Sequence, residues 1–189
     1  MESSRRLLLA AMAAAPAFVP RSAWGANDKI SYAVLATGGR GRYVSRVFQK
    51  LGAECVALCD VYEPNLELAR QDAPHARAYG DYLELLEKEN SIDAVVIASP
   101  DHQHCPMLLA ALKAKKDVYL EKPLSLSLEQ SVKMVRAARD SKQVVQVGMQ
   151  RRSAPSILAA KKLVDDGVLG RITLVKPQWH WNVAQPLDN

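Results

Sequence analysis

Two short segments carry side chains suited to proton transfer. One is Glu121-Lys122-Pro123, in which a lysine stands at the end of an apolar run, between a carboxylate and a proline. This is an unusual place for a lysine that serves only to hydrate the surface. The other is Ser99-Pro100-Asp101-His102-Gln103-His104, which follows a second apolar run. Ligands of parallel α/β sheets collect at the carboxyl ends of strands, so these histidines are candidates for a site, with solvated loop residues as the alternative.

A third segment has the features of a phosphate-binding turn. In Ile30–Gly41 an apolar run ends in Gly38, Gly39 and Gly41, and a helical pattern begins. Glycines at a helix start leave backbone N–H groups open to a phosphate, so the turn is a candidate pyrophosphate site. Ala36 replaces the first glycine of the G-x-G-x-x-G pattern, which costs little if its φ is negative. A glycine turn without a ligand is the alternative.

An acidic residue follows the turn at a suggestive distance. Asp60 ends the next apolar run, 19 residues after Gly41. In dinucleotide-binding folds a carboxylate about 20 residues beyond the glycines accepts hydrogen bonds from the adenosine ribose. The alternative is that Asp60 caps a helix beginning near Pro64.

The pattern that must position these residues is an alternation of short apolar runs with helical periods, which predicts an α/β fold of the Rossmann type, a doubly wound parallel sheet. Asp93–Ser99 is apolar without alternation, as expected for a central strand buried on both faces. After a capping box at Ser127-x-x-Gln130, a helix is expected to face the core with Leu128, Val132 and Val135. The other expected strands are the run before the glycines, Glu54–Asp60, a short one at Ala76–Ala78, Asp117–Leu120, Val144–Val147 and, further on, Arg171 to about Trp181; the other expected helices follow the glycines, span Leu66–Asp72 and Tyr82–Glu89, begin near Pro106, and run from Pro155 to Asp166.

The first 26 residues have the layout of an export signal. Arg5 and Arg6 precede the apolar stretch Leu7–Val19, whose 13 residues fall short of the roughly 20 needed to span a bilayer. The paired arginines favour the twin-arginine route, with cleavage near Gly25/Ala26 and a periplasmic location; a disordered cytoplasmic leader is the alternative. No stable membrane anchor is expected.

Composition excludes several other classes of protein. Removing residues 1–26 would lower the formal charge from +5 to +3, too little to indicate a nucleic-acid partner. The three cysteines, Cys55, Cys59 and Cys105, are an odd number in apolar surroundings, which predicts small buried side chains. No cysteine or histidine cluster has the spacing of a metal site.

The motifs together resemble the Gfo/Idh/MocA oxidoreductases, the family of glucose–fructose oxidoreductase and inositol dehydrogenase. The resemblance begins near Lys29 and rests on the glycine turn, Asp60, the Ser99–His104 segment, the Glu-Lys-Pro triplet and Val147–Arg152. It implies a Rossmann domain over 27–150 and, over 151–189, the beginning of an α/β domain with an open-faced sheet. Because family chains are roughly twice this long, we expect a truncated chain that corresponds to the N-terminal half.

The resemblance also implies a cofactor and roles for individual residues. The cofactor would be NAD, with NADP possible because Arg40 could reach a 2′-phosphate. Lys122 would contact the substrate hydroxyl with His104 and Glu121 near it, and Lys122-Pro123 is expected to be a cis peptide. Arg151 and Arg152 would border the substrate. The expected cofactor-binding residues are Gly38, Gly39, Arg40, Gly41, Asp60, Ser99, Pro100, His102 and Glu121.

The function implied is oxidation of a sugar, inositol or related polyol by hydride transfer to the nicotinamide cofactor. Two alternatives remain: an NAD-binding fragment without turnover, expected to be inactive and poorly soluble by itself, and an NAD-dependent glycosidase of the same superfamily. Such glycosidases often lack the lysine of the triplet, so Lys122 argues against that reading. Homo-oligomers are expected only for a full-length family member.

Overall fold

A computed structural model of the chain describes residues 29–178. Its centre is a parallel sheet of six strands in the order β3-β2-β1-β4-β5-β6. The order reverses between β1 and β4, the two central strands, as in dinucleotide-binding folds. The predicted doubly wound Rossmann sheet is therefore confirmed. The strands are β1 Ser31–Leu35, β2 Glu54–Cys59, β3 Arg77–Tyr79, β4 Ala94–Ile97, β5 Asp117–Glu121 and β6 Val145–Gly148.

Helices connect the strands and cover the sheet. Asp81 caps one of them by accepting hydrogen bonds from two backbone N–H groups, and Ser127 caps another by accepting from the N–H of Gln130, as the sequence predicts. A short 3₁₀ turn at Asp101–Gln103 leads directly into a helix that begins at His104, with Pro106 in its first turn as predicted. The helices are α1 Gly39–Lys50, α2 Glu63–Asp72, α3 Tyr82–Lys88, α4 His104–Lys113, α5 Leu128–Asp140 and α6 Pro155–Asp165.

Two apolar clusters, one on each face of the sheet, form the core. Successive side chains of a strand point to opposite faces, and β4 shows this clearly: Val95 and Ile97 join one cluster, and Val96 joins the other. All three are fully buried. The prediction that this strand is central and covered on both faces is confirmed, and the two faces hold its carboxyl end in place.

Helix α5 buries a different face from the one the sequence predicts. Leu128, Val132 and Val135 are 77%, 40% and 41% exposed, whereas Met134 is 1% exposed. Met134 and the small side chains of Ala137 and Ala138 pack into the core cluster that includes much of α4. The expectation of an inward stripe from Leu128 is wrong, because the core-facing side of the helix carries Met134, Ala137 and Ala138, whose i, i+3, i+4 spacing places them on one face.

The chain divides into two compact units at Gly148/Met149. The described part of the second unit, 149–178, contains α6, followed by Gly167 at a φ of +75°. The strand expected from Arg171 is absent over 171–178, where the backbone is exposed and irregular. Over 171–178 the structure describes no strand pairing, and a strand requires a neighbour for its backbone hydrogen bonds. Trp179 to Trp181 and the predicted export signal lie outside the described residues.

The three cysteines are free and buried, as predicted. Burial raises the pKa of the Cys55 thiol to about 11 and that of Cys59 to about 12, which keeps both protonated at neutral pH. Between residues 29 and 178 no group of three or more histidine, cysteine or acidic residues is placed to hold a metal ion. Over the same residues no helix has both the length and the apolar character needed to cross a bilayer.

Candidate functional site

A cavity of about 670 Å³ opens at the carboxyl ends of the strands, where the strand order reverses. Its walls come from the glycine turn after β1, the segment after β2 and the turn after β4. Of the predicted cofactor-binding residues it is lined by Gly38, Gly39, Arg40, Asp60, Ser99, Pro100 and His102. Residues that the sequence singled out in three separate segments therefore line one cavity.

The glycine turn presents an open helix N-terminus to this cavity. Helix α1 begins at Gly39 after an extended Gly38, and no side chain caps it. A Cβ added at Gly39 would meet no atom within 4 Å, so the space beside it is open. Gly41 has a different role, because a Cβ there would overlap the carbonyl oxygen of Ala36 and prevent helix α1 from packing this closely on the turn. Uncapped N–H groups and open space are what a phosphate requires.

Ala36 adopts a φ of +72°, the left-handed region. Its N–H donates a 2.8 Å hydrogen bond to the carbonyl oxygen of Cys59 at the end of β2. The condition under which alanine costs little here, a negative φ, is therefore not met, because the turn has the geometry that the usual glycine of the pattern provides. An alanine in this region is strained by about 1–2 kcal/mol.

Asp60 lies beside the glycine turn and is held by neutral donors. Its Oδ2 accepts hydrogen bonds from the N–H of Thr37 at 2.8 Å and from the Thr37 hydroxyl at 3.3 Å. Its Oδ1 accepts from the N–H of Tyr62 at 2.9 Å. Helix α2 begins at Glu63 with Tyr62 as its N-cap residue, so the alternative of Asp60 as the cap does not describe the structure.

Asn65 is a cavity residue that the sequence reasoning missed. It lies in the first turn of α2, lines the cavity, and donates from Nδ2 to Asp60 Oδ2 at 3.2 Å. A Cβ on Gly38 would lie 3.7 Å from the same nitrogen, so Asn65 sits against the phosphate-binding turn. The sequence feature that could have indicated Asn65 is a side-chain amide in the first turn of the helix that follows the strand ending at Asp60.

Glu121, at the end of β5, is buried and paired with a cation. Arg40 approaches its Oε1 through Nε and Nη2, both at 2.7 Å, and the Tyr119 hydroxyl donates to the same oxygen at 3.2 Å. The Glu121 side chain is 5% exposed and that of Arg40 is 40% exposed. The hydrogen bond to Glu121 raises the pKa of Arg40 above its ordinary value. The guanidinium of Arg40, which the sequence analysis considered as a possible ligand of a 2′-phosphate, is therefore already paired with Glu121.

Lys122 follows directly, with its side chain exposed and its backbone N–H donating to Glu121 Oε2 at 3.3 Å. The peptide bond from Lys122 to Pro123 is cis, as predicted. The carboxylate of Glu121 therefore holds the backbone of the lysine, while the amine stays accessible.

His104 is 1% exposed and lies between two backbone carbonyl groups. Nδ1 is 2.7 Å from the carbonyl oxygen of Pro123, and Nε2 is 3.0 Å from that of Ser99. The ring thus joins the turn after β4 to the turn after β5. It does not line the cavity, in contrast to His102.

Ser99 supplies a buried polar atom without a partner. The residue is 8% exposed, and its Oγ is the buried side-chain oxygen that accepts or donates no hydrogen bond within the described residues. Burying a hydroxyl without a hydrogen bond is unfavourable by about 1–3 kcal/mol. Because Ser99 lines the cavity, a bound polar group would satisfy this hydroxyl.

Arg151 and Arg152, the predicted substrate-side residues, belong to the second unit. They lie in an exposed turn before α6, and Arg151 has a φ of +74°. Their assignment to a substrate stays a prediction.

The strand order, the glycine turn, Asp60 and the cavity between them define a dinucleotide-binding Rossmann domain. Residues 30–149 match the model of the Gfo/Idh/MocA oxidoreductase family, described as an NAD-binding Rossmann fold. The chain belongs to this family.

Several curated relatives are inositol dehydrogenases. The chain is 34% identical over 161 residues to inositol 2-dehydrogenase of Rubrobacter xylanophilus, covering 84% of this chain and 46% of that protein. It is 37% identical over 136 residues to inositol 2-dehydrogenase 2 of Saccharopolyspora erythraea, covering 71% of this chain and 40% of that one. The chain thus spans less than half the length of these relatives.

A solved structure agrees with this relationship. Myo-inositol dehydrogenase of Lactobacillus casei, in complex with NAD(H) and myo-inositol, superimposes with a TM-score of 0.68 at 33% identity. The match covers 75% of this chain and 43% of that one.

Proposed function

We propose that this chain is the cofactor-binding part of an NAD-dependent oxidoreductase that oxidises a CH–OH group of an inositol, sugar or related polyol. The observation that carries the proposal is the cavity, which brings an uncapped helix N-terminus, a partnerless buried hydroxyl and a carboxylate held by neutral groups to one place. Phosphate, ribose and a second polar group are the parts of a dinucleotide that these features match.

The residues present fit NAD. The N–H groups at Gly38 and Gly39 would bind the pyrophosphate, and Asp60 would accept from the adenosine ribose. Ser99 Oγ would bond to the cofactor and lose its burial penalty. A carboxylate repels a 2′-phosphate, and Arg40 is engaged by Glu121, so NAD is favoured over NADP.

The chemistry of the reaction requires two transfers from the substrate carbon and its hydroxyl. Bound NAD would accept the hydride. In this chain Lys122 would take the hydroxyl proton, which requires a neutral amine. The buried carboxylate of Glu121 is paired with Arg40 and accepts from the backbone N–H of Lys122, so it holds the backbone of the lysine in place. We assign Glu121 and His104 to holding Lys122-Pro123 in place rather than to touching the substrate.

The substrate class follows from the relatives. Two relatives described above are inositol 2-dehydrogenases, and a structural neighbour was solved with myo-inositol. We infer that this chain serves a polyol of the same kind, with Arg151 and Arg152 on the substrate side. In a full-length member of the family, we expect homo-oligomers.

The assay for this proposal is formation of NADH from NAD with a panel of inositols and sugars. Because the chain spans less than half of its relatives, it is assayed both alone and fused to the second half of a related inositol dehydrogenase. Lys122→Met should lower turnover roughly 10²- to 10⁴-fold while NAD affinity stays nearly unchanged. Lys142→Met, another exposed lysine, is the control. Undiminished turnover in Lys122→Met would remove this residue from the mechanism.

We further propose export to the periplasm by the twin-arginine route. The support is the sequence of residues 1–26, with Arg5 and Arg6 ahead of a short apolar stretch. Replacing both arginines by lysine should retain the protein in the cytoplasm, as measured by cell fractionation. Periplasmic delivery of that variant at the normal level would contradict the assignment.

A further inference from the structure

Asp60 has little acceptor capacity left for a ligand. A carboxylate offers about four acceptor positions, two on each oxygen. Three donors, the N–H and hydroxyl of Thr37 and Asn65 Nδ2, already share the two positions of Oδ2, so that oxygen is fully occupied. Oδ1 accepts from the N–H of Tyr62 alone among the residues that the structure describes, so one position remains there. The adenosine ribose of NAD has two hydroxyl groups, so Asp60 in this arrangement can accept from only one of them.

Asn65 supplies the missing acceptor. A carboxylate can only accept, so the amide of Asn65 must turn its nitrogen towards Asp60. The amide oxygen is then left over, and no group among residues 29–178 donates a hydrogen bond to it. Asn65 lines the cavity beside Asp60 and lies against Gly38 of the phosphate-binding turn, which places it on the adenosine side of the pyrophosphate site.

We propose that Asn65 is a specificity-determining residue, whose amide oxygen accepts one hydroxyl of the adenosine ribose while Asp60 Oδ1 accepts the other. This inference rests on the proposed function as an NAD-binding chain. It divides recognition of the ribose between a charged and a neutral acceptor. A 2′-phosphate brings acceptors and negative charge in place of the donated hydrogen, so both groups disfavour NADP.

The competing explanation is that Asn65 only holds Asp60 in place. In that case its loss would weaken every ligand that Asp60 binds by the same factor. A direct contact predicts a selective loss of affinity. An analogue that already lacks the hydroxyl bound by Asn65 should bind the unaltered chain and Asn65→Ala equally well. Comparing side-chain removal with hydroxyl removal therefore isolates the contact.

The test is calorimetric titration of the full chain and of Asn65→Ala with NAD and with its 2′-deoxy and 3′-deoxy analogues, modified in the adenosine ribose. Glu67→Ala, an exposed position two residues along the same helix, is the control. Asn65→Ala should weaken NAD about 3- to 10-fold, the effect of one hydrogen bond, and should leave the affinity for one of the two deoxy analogues unchanged. Asn65→Ser is measured in parallel, and thermal unfolding establishes that each variant is folded.

Two results would overturn the inference alone: undiminished NAD affinity in Asn65→Ala, or equal losses for all three ligands. Failure of the unaltered chain to bind NAD would be a different result, because it would contradict the proposed function itself.

Discussion

Two carboxylates end parallel strands of the same sheet and have opposite surroundings. Asp60 after β2 lines the cavity, and the donors that hold it among residues 29–178 are neutral ones from Thr37, Tyr62 and Asn65. Glu121 at the end of β5 is buried against the guanidinium of Arg40. The first keeps its negative charge uncompensated and available to donors of a ligand. The second has its charge neutralised and serves to fix the backbone of Lys122.

The role of a carboxylate at a strand end therefore depends on the groups that contact it, rather than on its position in the strand. Both residues follow apolar runs and look alike in the sequence. The partner of Glu121 is 81 positions away along the chain, in the first turn of α1. A recognition carboxylate is therefore distinguished by the absence of a cationic partner among the described residues around it.

The largest expected effect comes from breaking the Arg40–Glu121 pair. Arg40→Met leaves a buried carboxylate without its cation and should lower the free energy of unfolding by about 2–3 kcal/mol, below the 3–5 of a fully buried pair because Arg40 is partly exposed. Urea unfolding measures this loss. Arg70→Met, which breaks the exposed pair with Glu63, is the control and should cost under 1 kcal/mol. Equal losses in the two variants would mean that burial of Glu121 is unimportant.

A steric change on the same side should have a somewhat smaller effect. A Cβ on Gly148 would overlap the Tyr119 hydroxyl and lie 3.0 Å from Glu121 Oε1. Gly148→Ala should therefore destabilise by about 1–3 kcal/mol, as overpacking does. Adding Tyr119→Phe removes the hydroxyl and should restore part of the loss. No recovery in the double variant would place the strain elsewhere.

A third carboxylate, Asp72, sharpens the comparison at the surface. The hydrogen bond from Arg42 holds the pKa of Asp72 below its ordinary value, with Arg46 contributing. A carboxyl group whose pKa is lower in the folded state than in the unfolded state stabilises the fold at pH values above the unfolded-state pKa of about 3.9. This stabilisation is lost as the pH falls through the folded-state pKa. Asp72→Asn should cost under about 1 kcal/mol at pH 7 and progressively less as the pH falls below the unfolded-state pKa. The difference in unfolding free energy between the two proteins, followed from pH 7 to pH 2, measures it; a constant difference would contradict the assignment.

The sequence predicted those features that depend on neighbouring residues. A continuous apolar run predicted the buried β4, and glycine spacing predicted the uncapped start of α1, because both depend on residues close together in the chain. Features that depend on distant contacts were missed: Arg40 with Glu121, Asn65 with Asp60, and the face of α5 chosen by Met134. The φ of Ala36 was also missed, since the turn imposes it against the preference of alanine.

The most direct test of the account is a titration of the full chain with NAD and with NADP, repeated with Asp60→Ala. An uncompensated carboxylate that reads the ribose predicts that NAD binds more tightly than NADP by about 1–3 kcal/mol, or roughly 5- to 150-fold. The same reasoning predicts that Asp60→Ala removes most of this preference by weakening NAD. Equal affinities for the two cofactors in the unaltered chain, or a preference that survives in Asp60→Ala, would contradict the assignment of Asp60 as the recognition carboxylate.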